Sequence, residues 1–283
     1  MPRRSAVSES HRRPLYRGPK STAFRDFFVR AGSGSAEAQW QLVETTIPAL
    51  TKELEDGHWP LTGPTVRRLK DLVAVHYARS LLTWERHHDL WEADLARQAD
   101  ELRANPQLTL QTYSAETGIV TTGSGGLERA VEWYVAPSVR DFKTGVFFRL
   151  RVEELYKSAQ GWFEDMALSV VLNPWSEYLL SDVPVLSLGT NSSSGLPLRE
   201  PGLAHAMRYI LPITPKIAVY LDRGGDGRRR VSSLVEARLV NLLNIGAARE
   251  SIYLHPDPKG LDLAESALAA RYPLENDEKE PQK

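Results

Sequence analysis

The chain has no cysteine among its 283 residues, which excludes disulfides, thiolate metal centres and a cysteine nucleophile. That absence suits a reducing compartment, and a cytoplasmic location is expected. Charge of one sign is also missing: 35 Lys and Arg face 36 Asp and Glu, for a formal net charge of −1. No global field draws the protein to nucleic acid or to an anionic bilayer, so a polyanion site has to be a local patch. There is no run approaching the roughly 20 apolar residues that span a bilayer, because Arg, Asp or Pro interrupts each apolar stretch. The opening stretch MPRRSAVSESHRRPLYRGPK lacks the apolar core of a secretion signal. Neither export nor a membrane partner is expected.

Several catalytic signatures are absent as well. Ser181 has no Gly-x-Ser-x-Gly context, which argues against a serine hydrolase elbow. No Gly-x-Gly-x-x-Gly follows a strand-like run, and no Gly-Lys-[Ser/Thr] loop is present; Gly224-Gly-Asp-Gly227 reads as a turn.

What remains is a globular composition, 42% hydrophobic, sufficient for a sizeable core. Residues 1–37 read as a basic flexible arm and linker, with eight Arg and Lys in the first thirty residues. Residues 38–172 read as a helical bundle. Leu42, Val43, Ile47, Leu50 and Leu54 recur at helical spacing, and Gly57 stops that helix. Thr62 and Pro64 open a second helix running to about Ala104, with a kink near Thr83 to His88 or a long antiparallel bundle expected. Val152 to Leu172 reads as a further helix ended by Asn173-Pro174. Residues 173–272 turn to β-rich runs at Glu177 to Leu188, Arg208 to Asp222 and Ser251 to His255, followed or interrupted by a helix at Val231 to Ala248. Residues 273–283 read as a polar, disordered tail. The fold class is α+β: a helical bundle followed by a small antiparallel sheet with a covering helix, packed as one unit.

Val75-His-Tyr-Ala-Arg-Ser80, Leu180-Ser-Asp-Val-Pro-Val185, Tyr209-Ile-Leu-Pro-Ile-Thr-Pro-Lys216 and Leu239-Val-Asn-Leu-Leu-Asn-Ile245 occur in an order that resembles the domain-of-unknown-function 4238 family. The resemblance runs from about Gln41 to His255, and His11-Arg-Arg-Pro14 looks like a shortened form of that family's opening segment. It implies a mainly bacterial, helical-plus-sheet domain and assigns no catalytic residue.

The candidate site rests on buried-looking polar residues. Arg79 shares a helical face with Leu72, Val75 and Leu82, while His76 lies with Leu69, Leu72 and Val73. A guanidinium on such a face needs a carboxylate, and Asp182, set in an apolar run, or Glu44 are the candidates. One reading is a structural ion-pair network stapling bundle to sheet. The other places His76 as base, Arg79 as anion clamp and Asp182 as orienting carboxylate in a cleft, for a hydrolase or defence-type effector acting on a phosphate-bearing substrate. Arg228, Arg229 and Arg230, just before a helix, read either as a solubilising turn or as a site for the anionic part of a small molecule or nucleic acid. Glu85-x-x-His88 has di-iron spacing, but no second copy exists, which leaves a single metal held by His88, Glu85 or Glu92 with remote ligands, or a wet helix face flanked by Trp84 and Trp91. The sequence specifies no metal or cofactor. Asn241 and Asn244 are expected to make capping or cross-element hydrogen bonds.

Overall fold

The computed structural model describes residues 4–8, 14–17, 34–190, 197–249 and 251–254. Its helices are α1 (Gly34–Thr45), α2 (Ile47–Asp56), α3 (Gly63–Ala78), α4 (Leu81–Ala104), α5 (Pro106–Thr117), α6 (Gly123–Lys143), α7 (Val146–Glu164) and α8 (Leu234–Ala247). The strands are β1 (Arg4–Ser8), β2 (Pro14–Arg17), β3 (Ala167–Leu172), β4 (Leu180–Ser181), β5 (Leu186–Thr190), β6 (Pro197–Arg199), β7 (Arg208–Thr214), β8 (Ile217–Asp222), β9 (Arg229–Val231) and β10 (Ser251–Leu254). The α+β class read from the sequence is the class observed.

The described residues fall into two compact units. One draws on Met1–Phe24, Gln39–Leu81 and Tyr156–Lys283; the other draws on Arg25–Ala38 and Leu82–Leu155. The second unit is helical, built from most of α4, from α5 and α6, and from the first part of α7. Within it Trp91 stacks on Phe142 at 3.8 Å between centroids, and Arg103 on α4 forks onto Glu128 on α6.

The first unit holds both sheets. A four-stranded antiparallel sheet runs β2-β1-β10-β4, and a six-stranded sheet runs β6-β5-β7-β8-β3-β9. The larger sheet is antiparallel except for its last pair, because β9 runs parallel to β3, with Val170 opposite Arg229. Its centre is apolar on both faces: Ile217 to Leu221 of β8 are all buried. Tyr209 and Leu221 are partners across β7 and β8 and share a face, where Tyr209 meets Tyr77 of α3 and Phe163 of α7 at 5.6 and 4.6 Å. Alternation turns Tyr220 to the opposite face. There Arg208 and Arg230 lie over its ring at 5.5 and 5.2 Å, and Arg230 is held by Glu236 of α8.

Local structure departs from the sequence reading at several places. Helix α7 ends at Glu164, and Ala167 to Leu172 form a strand: Val170 and Val171 are β-branched and pair with Val219 and Ala218, so the sheet takes the end of an expected helix. The long helix expected to kink near Thr83 to His88 breaks earlier, at Arg79 and Ser80. The strand expected over Glu177 to Leu188 divides into β4 and β5, since Pro184 has no N–H to offer a ladder. Strands β1 and β2 form a hairpin inside the stretch read as an arm. The tail at 273–283 lies outside the described residues.

Candidate functional site

Helix α3 opens where the sequence places it: the Thr62 side chain accepts from the Thr65 N–H, and Pro64 occupies the first turn. Its last turn carries His76, and the chain leaves the helix at Arg79, whose N–H still reaches the Val75 carbonyl at 2.9 Å. The Arg79 guanidinium pairs with Glu44 at 2.6 Å and lies over the Trp40 ring at 5.1 Å. Of the two carboxylates considered for it, Glu44 is the observed partner. The pair is partly wet, with a quarter of the Arg79 side chain and 41% of Glu44 exposed, so it is worth about 0–1 kcal/mol; the indole contact adds about 0.5–1 kcal/mol.

His76 is of intermediate exposure but enclosed closely enough that desolvation, followed by the nearby Arg79 charge, pushes its pKa down to about 4. It is therefore a neutral imidazole at physiological pH.

Asp182 holds a corner of the backbone. Its two carboxylate oxygens accept the Arg249 and Ser251 N–H groups, each at 2.9 Å, where the chain leaves α8 and enters β10. Its own N–H donates to the Ser251 carbonyl and its carbonyl accepts from Leu81 at the start of α4. Ser181 beside it turns inward, donating to the Val183 carbonyl and accepting from the Val183 N–H. Nearby, Arg249 pairs with Glu200 at 3.1 Å, and Glu200 has φ +52°, a left-handed conformation uncommon outside glycine. Val183, Val185, Ser187, Glu200, Leu243 and Ala247 line a cavity of about 30 Å³, space for a water or two rather than for a substrate. The structure thus brings His76 and Arg79 together on one helix end, and commits the carboxylates of Glu44 and Asp182 to separate partners.

A family model described as "Protein of unknown function (DUF4238)" matches residues 5–258, about nine-tenths of the chain. The chain belongs to the DUF4238 family. No curated protein and no solved structure matches it.

In this DUF4238 member Arg229 and Arg230 lie on the edge strand β9, with Arg228 just before it, and the Arg229 and Arg230 charges have local partners. Arg230 makes two hydrogen bonds to Glu236 at 2.6 and 2.5 Å, which holds the Glu236 carboxyl below the usual carboxylate range. The Arg229 guanidinium lies against Gly57, at the C-terminal end of α2, where a helix favours a positive charge. Arg228 is exposed. Asn241 makes the expected cross-element bonds: its carbonyl accepts from the Leu179 N–H and its NH₂ donates to the Glu177 carbonyl. Asn244 does not, being fully buried with neither amide atom partnered.

His88 sits between Trp84 and Phe142 at 5.0 and 5.1 Å, with Glu92 3.7 Å from its Nε2. Among the described residues no group of three or more His, Asp or Glu is arranged to hold a metal. His11 lies outside the described residues. Two features of this chain were not read from the sequence. One is the Glu200–Arg249 pair, whose partners are 49 residues apart with no periodic pattern linking them. The other is a groove of about 400 Å³ on the helical unit, lined by Glu101, Leu102, Leu108, Thr112, Tyr134 and Val135 and by none of His76, Arg79 or Asp182.

Proposed function

We propose that this protein is a non-enzymatic binding or scaffold module in which His76, Arg79 and Asp182 form structural contacts. The observation that carries this reading is the double acceptance at Asp182, whose two oxygens each take a backbone N–H across the α8–β10 corner. An orienting carboxylate in a hydrolytic site has to face an imidazole N–H. An anion clamp, likewise, needs a guanidinium aimed at solvent, whereas that of Arg79 is directed to Glu44 and Trp40. The Arg229 and Arg230 side chains have the helix end and Glu236 as partners, which weakens the case for a phosphate patch at 228–230.

Hydrolysis of a phosphate-bearing substrate by His76, Arg79 and Asp182 is the reading this one displaces, and turnover tests the two against each other. The purified chain is incubated with a phosphomonoester, a phosphodiester and nucleoside triphosphates, with and without divalent metal, beside a His76→Gln variant shown by circular dichroism to be folded. We expect the same background rate from both. Turnover by the native chain that His76→Gln abolishes would overturn the proposal.

A further inference from the structure

Helix α8 is apolar on more than the face it buries. Ala237, Val240, Leu243 and Ile245 point into the protein. On the other side, Val235, Leu239 and Leu242 follow at i, i+4 and i+7 and are 75%, 51% and 48% exposed. Leu234 at 40%, Val231 at 55% and Trp175 at 60% extend the patch, and the Trp175 indole N–H donates to the Ser232 carbonyl at 2.8 Å, which fixes the ring beside the helix start. Single exposed apolar side chains are ordinary on a protein surface; six on and beside one helix are not. A helix that is apolar nearly all round is normally covered on both sides.

Charge limits what covers it. Arg238 is the one charged residue among the exposed residues of α8, on the flank of the Val235–Leu239–Leu242 ridge. The Glu236 carboxylate is directed away to Arg230. In antiparallel two-fold pairing with a second copy, Arg238 of each chain falls on the same flank near the crossing point, so like charges meet. A partner with a carboxylate at that position meets Arg238 with attraction and lays its own apolar ridge along the stripe.

We propose that this face of α8 docks an amphipathic helix of another protein, one whose apolar ridge is flanked by an acidic residue that meets Arg238. The inference rests on the binding-module reading and names its surface and the chemistry of its partner. The probes are two amphipathic helical peptides sharing one leucine ridge, flanked by Glu in one and by Lys in the other, titrated by fluorescence anisotropy against the full chain. The Glu-flanked peptide is expected to bind about tenfold more tightly, the difference shrinking with salt. Leu239→Asp abolishes binding and Arg238→Glu reverses the preference, and neither change touches a buried residue, so melting temperatures stay level. No binding by either peptide, binding indifferent to flanking charge, or binding unchanged by Leu239→Asp would each overturn the proposal. A dimer in sedimentation velocity that Leu239→Asp dissociates would assign the face to a second copy instead. Adsorption to phosphatidylcholine–phosphatidylserine vesicles that Leu239→Asp removes would assign it to lipid. The phosphoester turnover assay uses no α8 variant, so failure of the binding-module reading and failure of this surface are separately visible.

Discussion

His76 illustrates how a single side chain's surroundings become a measurable property of the whole fold. Its folded pKa of about 4 lies below the ordinary value of 6.5, so between those two pH values the unfolded chain binds more protons than the native one. Stability therefore rises with pH across that window, and acidification from pH 7 towards 4 removes it. The full shift corresponds to about 3 kcal/mol, which the partial exposure of the ring reduces to about 1–2 kcal/mol. Urea unfolding at pH 7 and pH 5 measures this, and in His76→Gln the difference between the two pH values should shrink by that amount. Asn244 makes an opposite kind of prediction. Both its amide atoms are buried and unpartnered, a cost of about 1–3 kcal/mol that an apolar residue of the same branching avoids. Asn244→Leu should raise the unfolding midpoint; a fall would mean that the amide has a partner. The apolar helix face on which His76 and Arg79 sit was legible in the sequence because helical periodicity shows which residues lean inward. The choice of Glu44 over Asp182 was not, because both carboxylates satisfy the same charge rule and only the three-dimensional path of the chain separates them.

At the scale of the element, boundaries were legible where a residue type has one strong local reason to be there. Thr62, Pro64 and Gly57 mark their helix ends through a cap, a fixed φ and a left-handed turn at φ +82°. Gly57 carries a second constraint, since a Cβ at that position would collide with the Arg229 guanidinium. Gly57→Ala should cost about 1–2 kcal/mol in urea unfolding, and the concurrent Arg229→Ala change should relieve only the collision and not the φ penalty. Boundaries failed where tertiary pairing decides them. Val170 and Val171 continue an apolar pattern that a helix would also satisfy, and β8 on one side and β9 on the other draw them into the sheet. Ser233 caps the start of α8, its hydroxyl accepting from the Glu236 N–H at 3.0 Å.

At the scale of the molecule, the sequence reads as helices first and strands second, and the folded chain is less sequential. Helices α2 and α3 belong to the compact unit that holds both sheets, and β10, near the end of the described chain, lies between β1 and β4. Such non-local pairing leaves no periodic trace in the residues that take part. Asp182 is the residue on which this arrangement and the functional reading meet, because it joins β4, the end of α8, β10 and the start of α4 through hydrogen bonds. A carboxylate kept for catalysis generally weakens the fold that holds it, so its replacement leaves stability level or raises it, whereas one that satisfies two backbone donors is missed when it is gone. The most direct measurement is therefore the unfolding free energy of Asp182→Asn, whose amide keeps one acceptor and turns a donor against an N–H. A loss of about 1–3 kcal/mol, with Arg249 and Ser251 amides exchanging faster with solvent, is the predicted result. Unchanged or increased stability would contradict the structural role and return Asp182 to the chemistry of a site.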